Sequence, residues 1–301
     1  MIGFVVGEVF LSSPPGSPTI GLAGSRTGEC RLKSLTAAHR LPLQEFCGAT
    51  VILPVLTETR SLRDTVDIIL SDCRDDIDRF LIVVCGRTRP ESLAVASELQ
   101  REHGSLVRVH AQQRPFLGGA MRDAFELVES SHAIMMASDL ETDPNQVKAL
   151  IAAARVDPTA IVTASRWIPG AGFHGYGRTK RLANRLFQRV FGFLYRTKLT
   201  DLTYGYRLFP ISLIQSIAWE ELRHAFLFET LVKPLRLGVS VIEIPSLWRS
   251  RVEGESQNRV RNYIDYLRIG LKVRFGPRSA LVKPQPERVQ AVLTVSSAGS
   301  P

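Results

Sequence analysis

Between residues 50 and 165, short apolar runs alternate with stretches whose apolar residues recur at helical spacing, and few folds accept that order. Strand-length runs occupy residues 50–54, 80–85, 105–109, 133–137 and 161–165. After the first, Leu62, Val66, Ile69 and Leu70 mark one face of a helix. A second helix follows Pro90 and stops near Gly104, and a third spans residues 118–129. Repeated βαβ units of this kind predict an α/β fold, a mixed but mostly parallel sheet flanked by helices, with ligands at the carboxyl ends of its strands. Beyond Ser165 the rhythm breaks. A Gly-rich loop over 169–177 leads to a basic helix over 178–196, then a helix containing Phe228 and Glu229, a strand over 239–244, and a loop with Arg249, Arg251, Gly254 and Ser256.

A chain of 301 residues can build one large domain or two small ones. Residues 1–46 are rich in Ser, Pro, Gly and Thr, and residues 276–301 read likewise. Both are expected to be poorly ordered extensions around a single domain over 47–275. The composition, 45% hydrophobic and 22% charged, is that of a folded, soluble chain. No apolar run approaches the roughly 18 residues of a membrane span. The apolar start lacks the basic stretch of a secretory signal, so a cytoplasmic protein is expected. Cys30, Cys47, Cys73 and Cys85 show no metal-ligand spacing and are expected to be free thiols. The net charge of +9 calls for an anionic partner. Zinc-finger spacing and RNP-type aromatic runs are absent, which argues against nucleic acid and for a phosphate-bearing lipid or nucleotide. Basic residues are densest over 166–198 and 249–278, and aromatic residues through the first stretch suit contact with an anionic membrane surface.

The run from Met135 to Pro144 ends an apolar strand in a carboxylate cluster. Residues two apart on an extended chain share a face, so Asp139 and Glu141 can point the same way. Their oxygens suit a hard divalent cation, magnesium or manganese, and through it a diphosphate. The other reading is a solvated loop whose charge favours the following helix. Asp143 before Pro144 has the form of an N-cap followed by a first helical residue. Several other residues carry two readings each. Arg166 at a strand end and Arg207 are phosphate ligands or ordinary ion-paired arginines; Glu58 contacts a nucleotide or is the acid of a helix's first turn. Gly118 and Gly119 admit either a nucleotide or a tight helix start. Asp201 lines an active site or shapes a loop.

The order of these pieces resembles family 2 glycosyltransferases of the GT-A fold. Val51-Ile52-Leu53-Pro54 with Glu58, Gly118-Gly119-Ala120, and Ser138-Asp139-Leu140-Glu141 with Pro144 match the first half. Ser165-Arg166, the string from Asp201 to Arg207, Phe228-Glu229, Glu243-Ile244-Pro245 and Arg251-x-x-Gly254-x-Ser256 resemble the second half of the dolichyl-phosphate mannosyltransferase-like, polyprenyl-phosphate branch. The resemblance implies an inverting transfer of sugar from a nucleotide-diphosphate sugar to a polyprenyl phosphate, by an enzyme peripheral at the inner face of a membrane. Asp139 and Glu141 would hold the cation, and Arg251 would clamp the leaving diphosphate. Asp201 and Glu229 would be catalytic carboxylates, either serving as base for a hydroxyl acceptor. Pro54, Glu58, Gly118, Gly119, Arg166, Lys180, Arg181, Arg207 and Ser256 would bind substrate. Three positions depart from the family pattern, one of them Lys180, where the branch usually has Ser. Ala137 replaces the first acid of the Asp-x-Asp motif, and Cys85-Gly86-Arg87-Thr88 stands where an Asp pair commonly holds the base. Two alternatives therefore stay open: a soluble hydroxyl acceptor, or a non-catalytic scaffold of the same shape.

Overall fold

The computed structural model describes residues 45–250 and 261–284. Its centre is a seven-stranded sheet of β1 (Ala49–Pro54), β2 (Ile77–Val84), β3 (Val107–Ala111), β4 (His132–Met135), β5 (Ile161–Ser165), β7 (Arg207–Pro210) and β8 (Val241–Pro245). The strand order is β3-β2-β1-β4-β7-β5-β8. All neighbours run parallel except β7, which is antiparallel to β4 and β5. β1 is apolar without alternation because both its faces are covered; Val51, Ile52 and Leu53 are wholly buried. Val51 lies between Phe80 and Ile134 in the register of the sheet.

Helices α1 (Arg60–Cys73), α2 (Pro90–His103) and α4 (Val147–Val156) bury their apolar stripes in one core, with Leu62, Val66, Leu99 and Leu150 among its members. On the opposite face α3 (Phe116–Leu127) and α6 (Ile211–Ser216) join Phe226 of α7 (Phe226–Leu237). A third cluster, away from the sheet centre, unites α7 with α5 (Arg178–Tyr195) and α8 (Arg261–Phe275) through Phe191, Phe228, Leu231, Ile269 and Val273. A parallel pair, β6 (Gly172–His174) with β9 (Leu247–Arg249), anchors the Gly-rich loop.

The expected α/β architecture is present, with shifts at the element ends. β3 starts at Val107 because residues 104–106 form a 3-10 turn after α2, with Gly104 at φ 58°. β4 stops at Met135, and the chain leaves the sheet before Ala137 to begin the acidic turn. β6, β7 and β9 were not expected; at three or four residues each they give no readable period. Residues 278–281 form a further 3-10 turn that buries Leu281. The N-terminal extension expected over 1–46 and the tail from residue 285 lie outside the described residues, apart from Glu45 and Phe46. No helix among the described residues is long and apolar enough to cross a membrane. Cys73 and Cys85 are free thiols.

Candidate active site

Parallel β1, β2 and β4 all deliver their carboxyl ends to one edge of the sheet, and the acidic turn stands there. Ser138 starts it, its hydroxyl donating to the Pro54 carbonyl at 3.0 Å and tying the end of β4 to the end of β1. Asp139 accepts from the Glu141 amide at 3.0 Å, and Thr142 donates to the Ala137 carbonyl at 3.0 Å. Leu140, between the two carboxylates, has φ 61°. A leucine in the left-handed region carries strain, which surrounding structure must impose. The two carboxylates therefore sit on a tightly wound turn rather than on an extended strand. Asp143 is the cap of the 3-10 turn that precedes α4, accepting from the Asn145 amide at 3.1 Å.

Two tyrosines hold this turn from the far half of the chain. Tyr204 donates to the Glu141 carbonyl at 3.3 Å and Tyr206 to the Asp143 carbonyl at 2.9 Å. Tyr204 also lies under the Arg166 guanidinium, 4.6 Å from its ring centroid. Arg166 in turn forms a bidentate pair with Asp201, at 2.7 and 2.9 Å. Arg166 is 8% exposed and Asp201 not at all. Burial alone would lower the arginine pKa, but the Asp201 charge and hydrogen bonds prevail and hold it above its ordinary value. Asp201 further accepts from Gln188 at 3.3 Å and from the Tyr204 amide at 3.2 Å. Glu243 closes the loop from β8 by accepting from the Thr200 and Asp201 amides, the latter at 3.0 Å. The acidic turn and the Arg166–Asp201 pair are thus joined through one tyrosine ring.

The first turns of α5 flank the same wall. Trp167 donates to Asn184 at 3.2 Å, and Arg181 lies 5.8 Å from the Trp167 ring and 5.3 Å from that of Phe173. Lys180 and Arg181 are exposed on the helix's first turn. Sequence reasoning did not single out Tyr204, Tyr206, Gln188 or Asn184. A signal existed: Asn184 and Gln188 are an i,i+4 amide pair on an otherwise basic and apolar helix.

Other expected residues have structural partners of their own. Glu58 is buried, and its carboxylate accepts from the Leu56 and Thr57 amides at 2.6 and 2.8 Å, shaping the β1–α1 loop. Thr88, of the Cys85-Gly86-Arg87-Thr88 turn, accepts from the Cys85 amide at 2.9 Å and donates to the Val55 carbonyl at 2.8 Å. Gly118 and Gly119 make a tight helix start: their amides donate to the Leu222 carbonyl, and an added Cβ would stand 2.6 Å from the backbone oxygen of Glu221 or Arg114 respectively.

Arg207, expected at a phosphate, is wholly buried beneath the site. Its guanidinium donates to Thr163 at 3.0 Å, Thr230 at 2.7 Å, the Leu202 carbonyl at 3.0 Å and the Leu227 carbonyl. Its fork is filled by protein acceptors. Glu229, expected as a catalytic carboxylate, is also wholly buried; it pairs with Lys233 at 2.7 Å and accepts from the Glu220 and Glu221 amides at 2.9 and 3.0 Å. Both are engaged by protein partners on every charged group. Arg251, Gly254 and Ser256 lie outside the described residues.

A magnesium or manganese ion commonly takes one or two protein carboxylates and fills its remaining positions with water and phosphate oxygens. Asp139 and Glu141 are a donor pair of that kind. Among the described residues no group of three or more His, Cys, Asp or Glu converges.

A mostly parallel sheet with one reversed strand, and a strained carboxylate turn at its carboxyl edge, define the GT-A class of glycosyltransferases. The chain belongs to glycosyl transferase family 2, whose model matches residues 50–217. It is similar to the glycosyltransferase AglD of Haloferax volcanii, 24% identical over 210 residues that make up 67% of this chain and 33% of AglD. The chain thus spans about a third of that relative's length. It is also similar to the undecaprenyl-phosphate mannosyltransferase of Micrococcus luteus, 25% identical over 216 residues, 68% of this chain and 85% of that protein. Among solved structures, glucosyl-3-phosphoglycerate synthase from Mycobacterium tuberculosis, in complex with Mn2+, UDP-glucose and phosphoglyceric acid, shares the fold. Its TM-score is 0.56 at 17% identity, over 76% of this chain and 80% of that one.

Proposed function

We propose that this protein transfers a sugar from a nucleoside-diphosphate sugar to the phosphate of a polyprenyl lipid at a membrane surface, with inversion at the anomeric carbon. The supporting observation is the state of the two carboxylates that sequence reasoning offered as a base. Asp201 is engaged on both oxygens by Arg166, and Glu229 by Lys233 and two amides. A hydroxyl acceptor needs a base to take its proton. A phosphate monoester, with a second pKa of about 6, is already ionised at neutral pH and attacks without one. The name of the Micrococcus luteus relative points to the same acceptor class.

Asp139 and Glu141 would hold a divalent cation, which when bound would supply positive charge to the departing diphosphate. The chain's own residues do the remaining work. The Arg166–Asp201 pair fixes the wall opposite the acidic turn, and Tyr204 holds turn and wall at a constant spacing. Lys180 and Arg181, beside Trp167, receive the acceptor phosphate. Arg251 keeps the diphosphate-clamp role implied by the sequence resemblance. The phosphoglyceric acid bound by the Mycobacterium tuberculosis enzyme supports a second reading, a soluble acceptor. One assay separates the two: purified protein with manganese, radiolabelled uridine and guanosine diphosphate sugars, and either undecaprenyl phosphate or phosphoglyceric acid. Label moving into the organic phase with the lipid supports the proposal. Label appearing only in a water-soluble product with phosphoglyceric acid replaces it.

A further inference from the structure

α5 and α8 run side by side in the same direction. Phe187 meets Tyr266 with ring centroids 5.9 Å apart, a Cβ on Gly270 would stand 2.3 Å from the Phe191 ring, and Arg274 donates to the Leu194 carbonyl at 2.7 Å. Each contact pairs residues about 79 positions apart, so the two helices keep one register. The residues each helix turns inward are Gln188, Phe191 and Gly192 on α5, and Ile269, Gly270 and Val273 on α8. At helical spacing the opposite faces hold Leu182, Leu186, Val190 and Phe193 on α5, and Ile264, Leu267, Leu271 and Phe275 on α8. These eight are among the twelve large apolar side chains exposed on the described residues, and Phe193 is 88% exposed. Scattered apolar residues on a surface need no explanation, but two adjacent stripes on paired helices do.

Charge identifies what covers them. α5 contains no Asp or Glu, and Arg178, Arg181, Arg185 and Arg189 form an exposed row beside its apolar stripe. On α8, Arg268 and Lys272 are tied to Glu221 and Glu220 and Arg274 donates to the Leu194 carbonyl, so the exposed row of cations is that of α5. A second copy placed face to face would set basic row against basic row. An anionic lipid surface offers counter-charge at the level of the arginines and an apolar interior for the stripes, the pattern of an interfacial amphipathic helix. We infer that α5 and α8 together form a docking face on which the protein lies against an anionic bilayer. The basic end of α5, at Arg181 and Arg185 over Trp167, then stands where lipid phosphates enter the site. That last step rests on the proposed lipid acceptor; the docking face itself does not.

The test is sedimentation with vesicles of phosphatidylcholine alone or mixed with phosphatidylglycerol, across a salt series. Wild type should sediment with the phosphatidylglycerol vesicles, less so as salt rises. The variant Leu186→Glu/Val190→Glu/Leu267→Glu/Leu271→Glu should bind roughly tenfold or more weakly with an unchanged circular dichroism spectrum. A Leu186→Trp variant gives a reading that needs no charge change: brominated lipid should quench its added fluorescence. Wild-type failure to sediment, equal binding by the quadruple variant, or absence of quenching overturns the inference. So does a wild-type dimer that the quadruple variant dissolves while neither protein binds vesicles. A paired turnover assay keeps the two proposals apart. If wild type binds vesicles but glycosylates neither a short water-soluble prenyl phosphate nor the vesicle-embedded long one, the acceptor proposal fails and the docking face stands. With both proposals sound, the quadruple variant keeps turnover on the short acceptor and loses it on the embedded one.

Discussion

Arg166 and Arg207 are both buried around the same loop, yet they live in opposite electrostatic settings. Arg166 closes a two-bond pair with the Asp201 carboxylate, which raises its pKa and leaves the pair net neutral. Arg207 meets only carbonyls and hydroxyls, and burial lowers its pKa to about 10. The first arginine forms a wall of the candidate site and carries the ring of Tyr204 toward the acidic turn. The second lies one layer deeper, lashing β7 to β5 and α7 through Thr163, Leu227 and Thr230. The lesson is that an arginine's acceptors, rather than its burial, separate a site-facing group from scaffold.

The largest effect should come from breaking the charged pair. Asp201→Ala leaves the Arg166 charge buried without its partner, and unfolding in urea should show a loss of about 3–5 kcal/mol. Combining it with Arg166→Met should recover much of that loss, because the stranded charge goes too. Arg207→Lys should cost less, about 1–3 kcal/mol, since one ammonium cannot serve four acceptors placed for a planar fork. Turnover per folded molecule should stay near wild type. Lost turnover with unchanged stability would move Arg207 from scaffold to site and erase the contrast.

A smaller effect belongs to a third buried cation-former. His132 is wholly buried, its Nε2 2.9 Å from the Pro158 carbonyl, and burial pushes its pKa below the ordinary 6.5. Between the folded pKa and 6.5 the unfolded chain binds the extra proton and the folded chain does not. Stability therefore rises with pH across that window and is lost as pH falls below about 6.5. His132→Gln should flatten that acid limb in a series of urea melts at different pH values. An unchanged limb would assign the slope to the carboxylates instead.

The regions also differ in how much their residues disclosed in advance. From Thr50 to Ser165 the inner strands carry apolar runs and each helix shows one apolar face, because parallel strands buried on both faces leave little choice of side chain, whereas the edge strand β3 alternates apolar with Arg108 and His110. The acidic cluster was legible as a run of carboxylates directly after a buried strand, but its winding into a turn around Leu140 was not. After Ser165 the strands β6, β7 and β9 shorten to three or four residues, and the candidate site is held by long-range pairs. Nothing local distinguishes Arg166 from Arg207; only the sheet, by inserting β7 antiparallel between β4 and β5, puts one just past the end of β5 against Asp201 and the other beneath it among carbonyls and hydroxyls. For Glu229 the i,i+4 partner Lys233 on α7 was readable in the sequence, whereas the Glu220 and Glu221 amides that fill its other positions come from the loop before the helix. Tyr204 and Tyr206 were hidden because their role depends on the reach of two hydroxyls to backbone carbonyls 63 residues away.

The central claim is that the turn from Asp139 to Glu141 takes the cation and, through it, the diphosphate. Calorimetric titration of uridine and guanosine diphosphates in manganese, into wild type and Asp139→Asn, tests it most directly. Asp139 is buried, yet stability should change by no more than about 1 kcal/mol, because the substitution keeps the side chain's size and an acceptor for the Glu141 amide. Manganese-dependent nucleotide binding should weaken roughly tenfold or more once the ligand charge is gone. Equal affinity in the two proteins across the manganese series would contradict the account and leave the turn as structure alone.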